Sequence, residues 1–520
     1  MDADRRRRRW LALLVFAIAF FYQWPRTWFT NDHFESLAKA QQMLRGELPI
    51  RDFFDNGRPL AITLSAMALR ASGGSLIGEA ILTMGAISAG VALLFLLTVE
   101  LTSSWLLATW AALCLLTLEP RLYNYGKVLV AMGGILMAFR YADHPTTRRA
   151  AALGAIAGLG FLWRHDFGAY VAMLAAVIFV PMFRSHPRQA RRDAAVAVAV
   201  GAACVLPYVW YLLDVNALGT IVEAGGTALR NAAQVTWRPF VFGGAADDIA
   251  SRLNAETWLY DSFLLSPLVA GVIAMNRWRG TVRANKMAAL AVLCAMLMLF
   301  LVRGNLDSRL PDVAGPALLL LAWLLSTLPR TPTARVGVIA FTAITFLAAE
   351  VLATQNPARR LLGYVRRLPH SLTQPWFAMR DPVDWWESDG ITDTRAVARW
   401  LRECTKPDDR VLVFGYYPDV VFFSQRPFAG GQVFLHSGYY SSPADQDLTV
   451  ARMARQRVPF VVVERSDAPA LDGTYSRIGG YVRAHFAEVA TSTFRGPRLF
   501  TILQRKDVNA TPRDDGLPCE

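Results

Sequence analysis

Long apolar runs alternate with short polar connections through the first two thirds of the chain. The runs cover 10–24, 76–99, 105–118, 127–141, 150–163, 167–183, 194–213, 259–275, 287–302, 313–328 and 335–353. A bilayer core of about 30 Å takes roughly 20 helical residues, so the pattern predicts about eleven transmembrane helices, several of them short. After 353 the period changes. A polar helix candidate, "TRAVARWLREC" (394–404), leads into the β-run "RVLVFG" (410–415). A second, "LTVARMARQR" (448–457), leads into "PFVVVE" (459–464), and "RLFTILQR" (498–505) reads as a last strand. Short strands alternating with helices predict a small α/β domain. The expected fold class is a polytopic α-helical membrane protein with a C-terminal extracytoplasmic α/β domain. Residues 1–353 form the membrane domain with a large first loop (25–75), 354–394 a linker, 395–508 the α/β domain and 509–520 a tail.

Composition supports this reading. The 520 residues are 54% hydrophobic, with a mean hydropathy of +0.28, too apolar for a soluble chain of this length. The net charge of +13 is a topology signal, because Lys and Arg collect in cytoplasmic loops. Arg5 to Arg9 precede the first span, and alternate loops carry Arg148 and Arg149; Arg184, Arg188, Arg191 and Arg192; Arg277, Arg279, Arg283 and Lys286; and Arg330 and Arg335. All fall on the cytoplasmic side if the N-terminus is inside, and an odd span count then puts the C-terminus outside. Nucleic acid is not an expected partner; membrane lipids are. Ala17 and Ala19 lie inside the first apolar run, so residues 5–24 read as an uncleaved anchor. Cys114, Cys204 and Cys294 fall within spans, whereas Cys404 and Cys519 fall in the outer domain and pair if the compartment is oxidising. No CxxC or paired-His metal spacing occurs, so a metal site stays unassigned.

Ionisable chemistry concentrates in the first loop. "FTNDHFESLAKAQQMLRGELPIRDFFDNGRPL" (29–60) sets Asp32, Glu35, Glu47, Asp52 and Asp55 among Lys39, Arg45, Arg51 and Arg58. Phe34, Leu37, Ala38 and Leu44 recur at helical spacing, which predicts a helix along the membrane surface that stops at Gly46. Asp32 and Glu35 have capping-box spacing, which explains both without catalysis. The alternative starts from cost, since ionised groups at the hydrocarbon boundary usually mark a site. On that reading Asp32, with Glu35 one turn on, is a general base that takes a proton from an attacking hydroxyl or amine. Arg58, Lys127, Arg164, Arg303 and Arg309, at the outer ends of spans, form a candidate set for a phosphate. Each has a plainer role as a snorkelling or locally paired cation: Arg164 with Asp166, or Arg309 with Asp307 or Asp312. Glu119, Asp52, Asp55 and Asp166 are candidate second acids. Glu119 is equally explained by pairing with Arg121, and His165 beside Asp166 is either a base with its orienting carboxylate or a structural histidine.

An acid just after span one, then "A..ML.GELPIRDFFDNGRPL", a many-span body and an outer α/β domain resemble the GT-C glycosyltransferases. The similarity is to the bacterial relatives of protein O-mannosyltransferases and lipid A aminoarabinose transferase. "YGKVLVAMGGILMA" and "GLGFLWRHDFG" resemble segments of the same group. The resemblance implies a bacterial inner-membrane enzyme that uses a polyprenyl-phosphate-linked sugar donor on the periplasmic side. It implies an inverting displacement at the anomeric carbon, with Asp32 by position as the base. The acceptor is an envelope lipid, polysaccharide or protein. The protein-mannosylating branch usually has Asp-Glu here, and His33 follows Asp32 in this chain, which argues against simple protein mannosylation. A divalent metal assists some members. The competing readings are a polytopic transporter or lipid flippase, and a non-catalytic envelope-assembly subunit.

Overall fold

The computed structural model describes residues 2–24, 29–55, 57–219, 221, 255–277, 280–301, 306–329, 331–354, 393–436, 439–494 and 496–520. The chain divides into two compact units, Met1–Thr27 with Thr83–Leu372, and Trp28–Leu82 with Thr373–Glu520. The helices up to the middle of the chain are α1 (Asp2–Gln23), α2 (Asn31–Leu44), α3 (Pro59–Ala71), α4 (Leu76–Thr102), α5 (Trp105–Thr117), α6 (Tyr125–Asp143) and α7 (Thr147–Trp163). They continue as α8 (His165–Ser185), α9 (Pro187–Asp214), α10 (Ala255–Arg277), α11 (Val282–Leu301), α12 (Leu306–Thr327) and α13 (Pro332–Thr354).

Every apolar run expected to span is helical. Among the described residues, eight helices (α4, α6 and α8–α13) are long and apolar enough to cross a membrane, while α5 has 13 residues and α7 has 17. The protein is a multi-pass membrane protein. Within the first unit α12 is the most enclosed helix, with Leu318, Leu319, Leu320 and Trp323 fully buried. In contrast, α9 and α13 expose apolar side chains such as Trp210 (73%) and Val336 (66%), as expected of faces solvated by lipid. The α7–α9 contact is built on small residues. A Cβ at Gly154 would lie 2.1 Å from the Ala197 carbonyl oxygen, so this close backbone approach admits only glycine.

The second unit joins α2, α3 and the first turns of α4 to the C-terminal α/β fold. That fold contains α14 (Asp393–Glu403), α15 (Pro418–Ser424), α16 (Pro443–Met453), α17 (Ala468–Asp472) and α18 (Ser476–His485). Its strands are β1 (Val411–Phe414), β2 (Phe460–Glu464), β3 (Phe486–Ser492) and β4 (Phe500–Arg505), in the order β1-β2-β4-β3. β1 and β2 run parallel, and β4 is antiparallel to both β2 and β3. The continuous run "FVVVE" makes β2 a central strand buried on both faces. Leu412, Phe414, Val461, Val463, Tyr475, Ile478 and Phe486 form the core beside it.

Two expectations change here. The α2 helix ends before Gly46 (φ +91), as its pattern predicts, but its apolar face is covered by protein. Phe34 packs on Phe422 (5.4 Å) and Phe423 (5.0 Å) of α15, and Leu44 is the exposed member of the expected stripe. The first loop therefore belongs to the same unit as the C-terminal fold, where the sequence pattern had attached it to the membrane domain. Arg45 donates to the Gln425 carbonyl (2.7 Å), Arg410 pairs with Glu47, and Arg452 donates to the Arg51 carbonyl (2.8 Å). Residues 509–520, expected as a tail, form the hairpin β5 (Thr511–Pro512) and β6 (Pro518–Cys519). Trp400 donates to the Pro518 carbonyl (2.9 Å), and a Cys404–Cys519 disulfide closes the end of the chain onto α14.

Candidate functional site

The first cluster lies in the second unit. Lys39, 1% exposed, donates to Glu35 (2.7 Å) one turn before it and to Asp55 (3.3 Å) in the following loop. Arg58 adds a longer contact to Glu35 (3.4 Å), and Asp55 also accepts from the backbone N–H groups of Gly57 and Arg58. Burial works to raise the Asp55 carboxyl, but Lys39, Arg58 and those N–H groups outweigh it and hold the acid below its ordinary range. Burial likewise works to lower the Lys39 ammonium, and Glu35 and Asp55 outweigh it and raise it. Burial pushes the Tyr440 phenol up, and it faces all four charges. Two carboxylates meet two cations here. This cluster is neutral, with Lys39 and Asp55 sealed and the Arg58 side chain 23% exposed.

Asp32 sits at its edge. The helix begins at Asn31, its N-cap Thr30 makes no side-chain cap bond, and Asp32 is its second residue, so the capping-box reading does not hold. The Asp32 side chain is half-buried, and its Oδ1 accepts from the Tyr416 phenol at 2.6 Å. Among the described residues, no Lys or Arg forms an ion pair with it. Its neighbour His33 is buried against Glu79 (2.7 Å), which also accepts from Ser65 (3.0 Å). Asp52 is committed to Arg51 (2.6 Å) and the Leu48 N–H (2.8 Å), which together outweigh burial and hold its carboxyl low.

The second cluster lies in the first unit, around the fully buried carboxylate of Asp312 on α12. Asp312 accepts from Arg121 through its backbone (3.1 Å) and its guanidinium (2.6 Å), from Asn124 (2.7 Å) and from Lys127 (3.1 Å). Arg164 is paired with Asp166 (2.8 Å) and lies within electrostatic range of Lys127. Glycine permits this approach. A Cβ at Gly126 would stand 2.3 Å from the Trp163 indole nitrogen, and Tyr125 meets that ring edge-on at 4.3 Å. The glycine in "YGK" thus lets the start of α6 close on the end of α7.

These placements revise several expectations. Lys127 is held by Asp312, and Asp312 holds Arg121 and Lys127 in the place of the expected Arg309. Arg164 does pair with Asp166. Asp166 is thereby tied to Arg164 and the Phe167 N–H, and the His165 ring lies tilted against Phe161 with centroids 4.5 Å apart, so the two do not form a base and its orienter. Glu119 is half-buried with φ +52, and its expected partner Arg121 is on Asp312. Arg309 is half-buried, and Arg303 lies outside the described residues. Among the described residues, no group of three or more His, Cys, Asp or Glu is arranged to hold a metal ion.

The fold has a solved counterpart. The chain aligns over 95% of its length, and 97% of the other, with the crystal structure of ArnT from Cupriavidus metallidurans bound to undecaprenyl phosphate, with a TM-score of 0.55 and 14% identity. The chain shares the fold of that structure. No protein-family model and no curated protein matches the sequence. Sequence reasoning singled out Asp32, Lys127 and Arg164 as candidates but not Asp312 as an organising acid, nor Tyr416 and Tyr440. Asp312 and Lys127 are 185 residues apart, and no local pattern joins them. The "GYYP" that follows β1 offered a tyrosine pair, but nothing in it named α2 as the target.

Proposed function

We propose that this protein is a membrane glycosyltransferase that moves a sugar from a polyprenyl-phosphate donor to an envelope acceptor on the extracytoplasmic face, with inversion. Asp32 takes the proton as the acceptor O–H or N–H attacks the anomeric carbon. The bond from that carbon to the phosphate oxygen breaks, and its electron pair leaves with the polyprenyl phosphate. The observation that carries this reading is the state of Asp32, a half-buried carboxylate oriented by a phenol and neutralised by no described cation, beside acids that are all paired. A base must be charged and have a lone pair to offer. Glu35 and Asp55, committed to Lys39, are structural on this reading.

Taken by itself, the first unit offers an anion such as a phosphate Arg121, Lys127 and Arg164, which outnumber Asp312 and Asp166 three to two. Undecaprenyl phosphate bound to the ArnT counterpart supports this class of donor. The placement of Lys and Arg supports an extracytoplasmic C-terminus, and the Cys404–Cys519 disulfide fits an oxidising compartment. Alkaline phosphatase fused after Glu520 is then active in cells; an inactive fusion overturns the orientation.

Asp32→Asn tests the base. It keeps the shape and still accepts from Tyr416, but it cannot take a proton. With Asp32→Asn as the only copy, the envelope glycan formed by the protein falls by roughly 10²–10⁴-fold at normal protein level, read by mass spectrometry against a deletion strain. Full product from that variant defeats the assignment.

A further inference from the structure

The C-terminal α/β fold reaches Asp32 through one residue. β1 is followed by Gly415, whose φ of +113 turns the chain sharply. A Cβ there would stand 2.3 Å from an Asp467 carboxylate oxygen and 2.5 Å from the Tyr417 ring, so the turn requires glycine. Gly415 is pinned to Leu435 by two backbone hydrogen bonds of 3.1 and 3.2 Å. The turn delivers Tyr416, which holds the first turn of α2 at two points. Its carbonyl accepts from the Asn31 side chain (3.2 Å), and its phenol donates to Asp32 Oδ1 (2.6 Å). The ring is braced edge-on by Phe434 at 4.8 Å.

We propose that Tyr416 is a positioning residue for the reaction: it fixes one oxygen of the Asp32 carboxylate and leaves the other oxygen to receive the acceptor's proton. This rests on the reading of Asp32 as the base. A phenol bonded to one oxygen stabilises the anion without the full counter-charge that a Lys or Arg would impose. The C-terminal fold is then a working part of the first-loop site. The other charged groups around the pair are Glu35 further along α2, which Lys39 and Arg58 engage, Arg58, which also faces Tyr416, and His436, whose ring lies 6.0 Å from that of Tyr416.

The test needs no knowledge of the sugar. A water-soluble carbodiimide with glycine ethyl ester labels carboxyl groups in their protonated form, and peptide mass spectrometry reads the labelling of Asp32 against pH in the full-length protein in detergent. Tyr416→Phe keeps the ring on Phe434 and the carbonyl to Asn31 but removes the donor. The Asp32 labelling midpoint then rises, and envelope product falls by about ten- to a hundredfold. On an Asp32→Asn background the same change costs nothing more, because its effect passes through Asp32. A fluorinated tyrosine in place of Tyr416, a stronger donor, lowers the midpoint and serves if the Phe variant fails to fold. An unmoved midpoint in a folded variant, or full additivity with Asp32→Asn, overturns the positioning role. A shifted midpoint with a fully active Asp32→Asn instead defeats the base reading and leaves the hydrogen bond as fold only.

Discussion

The Lys39 cluster of the second unit and the Asp312 cluster of the first are both networks of ion pairs, yet they are built for different tasks. Around Lys39, two acids and two cations cancel, and the ammonium is out of reach of water. Around Asp312 one buried carboxylate gathers the cations, while the Arg121 and Arg164 side chains stay 27% and 32% exposed. A balanced network leaves no net charge for a ligand to meet, and this one ties α2 to Asp55 and to Arg58 at the start of α3. A network with an excess of partly exposed cations keeps charge in reserve for an anion. Ion-pair counts alone do not separate the two cases; charge balance does.

The same substitution in both places breaks or sharpens this distinction. Lys39→Met leaves Glu35 and Asp55 buried against a single, more distant Arg58. Removing one partner of a buried pair costs about 3–5 kcal/mol, so the thermal midpoint in detergent and the protein level both fall sharply. A near-normal midpoint means the cluster is wetter and less structural than argued. Lys127→Met leaves Asp312 with Arg121 and Asn124, so the fold is largely kept. What weakens is binding of undecaprenyl phosphate, by about 1.5–3 kcal/mol for one charge-assisted contact, with Lys127→Arg milder than Lys127→Met. If Lys127→Met and Arg164→Ala both bind undecaprenyl phosphate as wild type does, the phosphate role of this cluster is lost.

Apolar periodicity made the helices legible, because a segment in lipid must satisfy its own backbone and bury nothing but hydrocarbon. The strands β1, β2 and β4 were legible as dense β-branched runs. The solvent-facing strand β3, "FAEVATS", was not, since only Phe486 of it is buried and its polar residues mask the period. The site was legible where cost is local. Asp32 stands out just past a membrane span whatever folds around it. Its partner Tyr416 lies 384 residues away and Asp312 meets Lys127 across 185, and such pairings are products of tertiary packing that no window of sequence contains. What covers the apolar face of α2 was not legible for a related reason. An amphipathic stripe says that a face is covered, but not whether lipid or Phe422 and Phe423 cover it.

The smallest expected effect is a pH dependence confined to the balanced cluster. Asp55 is held below its ordinary value of 3.8 by Lys39, Arg58 and two backbone N–H groups, which outweigh its burial. As the pH falls through that value, the unfolded chain takes up a proton at Asp55 before the folded protein does. Stability from this group is therefore complete above about pH 4 and is lost as the pH drops through the lower, folded-state value. Lys39 shifts upward, so its contribution is complete below its ordinary 10.5 and is lost only as the pH rises through the higher folded value. Between the two the cluster contributes a plateau. Asp55→Asn removes the acid edge and leaves the alkaline one. Melting midpoints of wild type and Asp55→Asn are thus separated at neutral pH and converge as the pH falls below 4. The effect is smaller than that of Lys39→Met, because protonating Asp55 still leaves Glu35 on the ammonium. A separation that stays constant down to the lowest pH the detergent-solubilised protein survives means that Asp55 is not held as a charged partner of Lys39. The neutrality of that cluster, on which its contrast with the Asp312 site depends, is then lost.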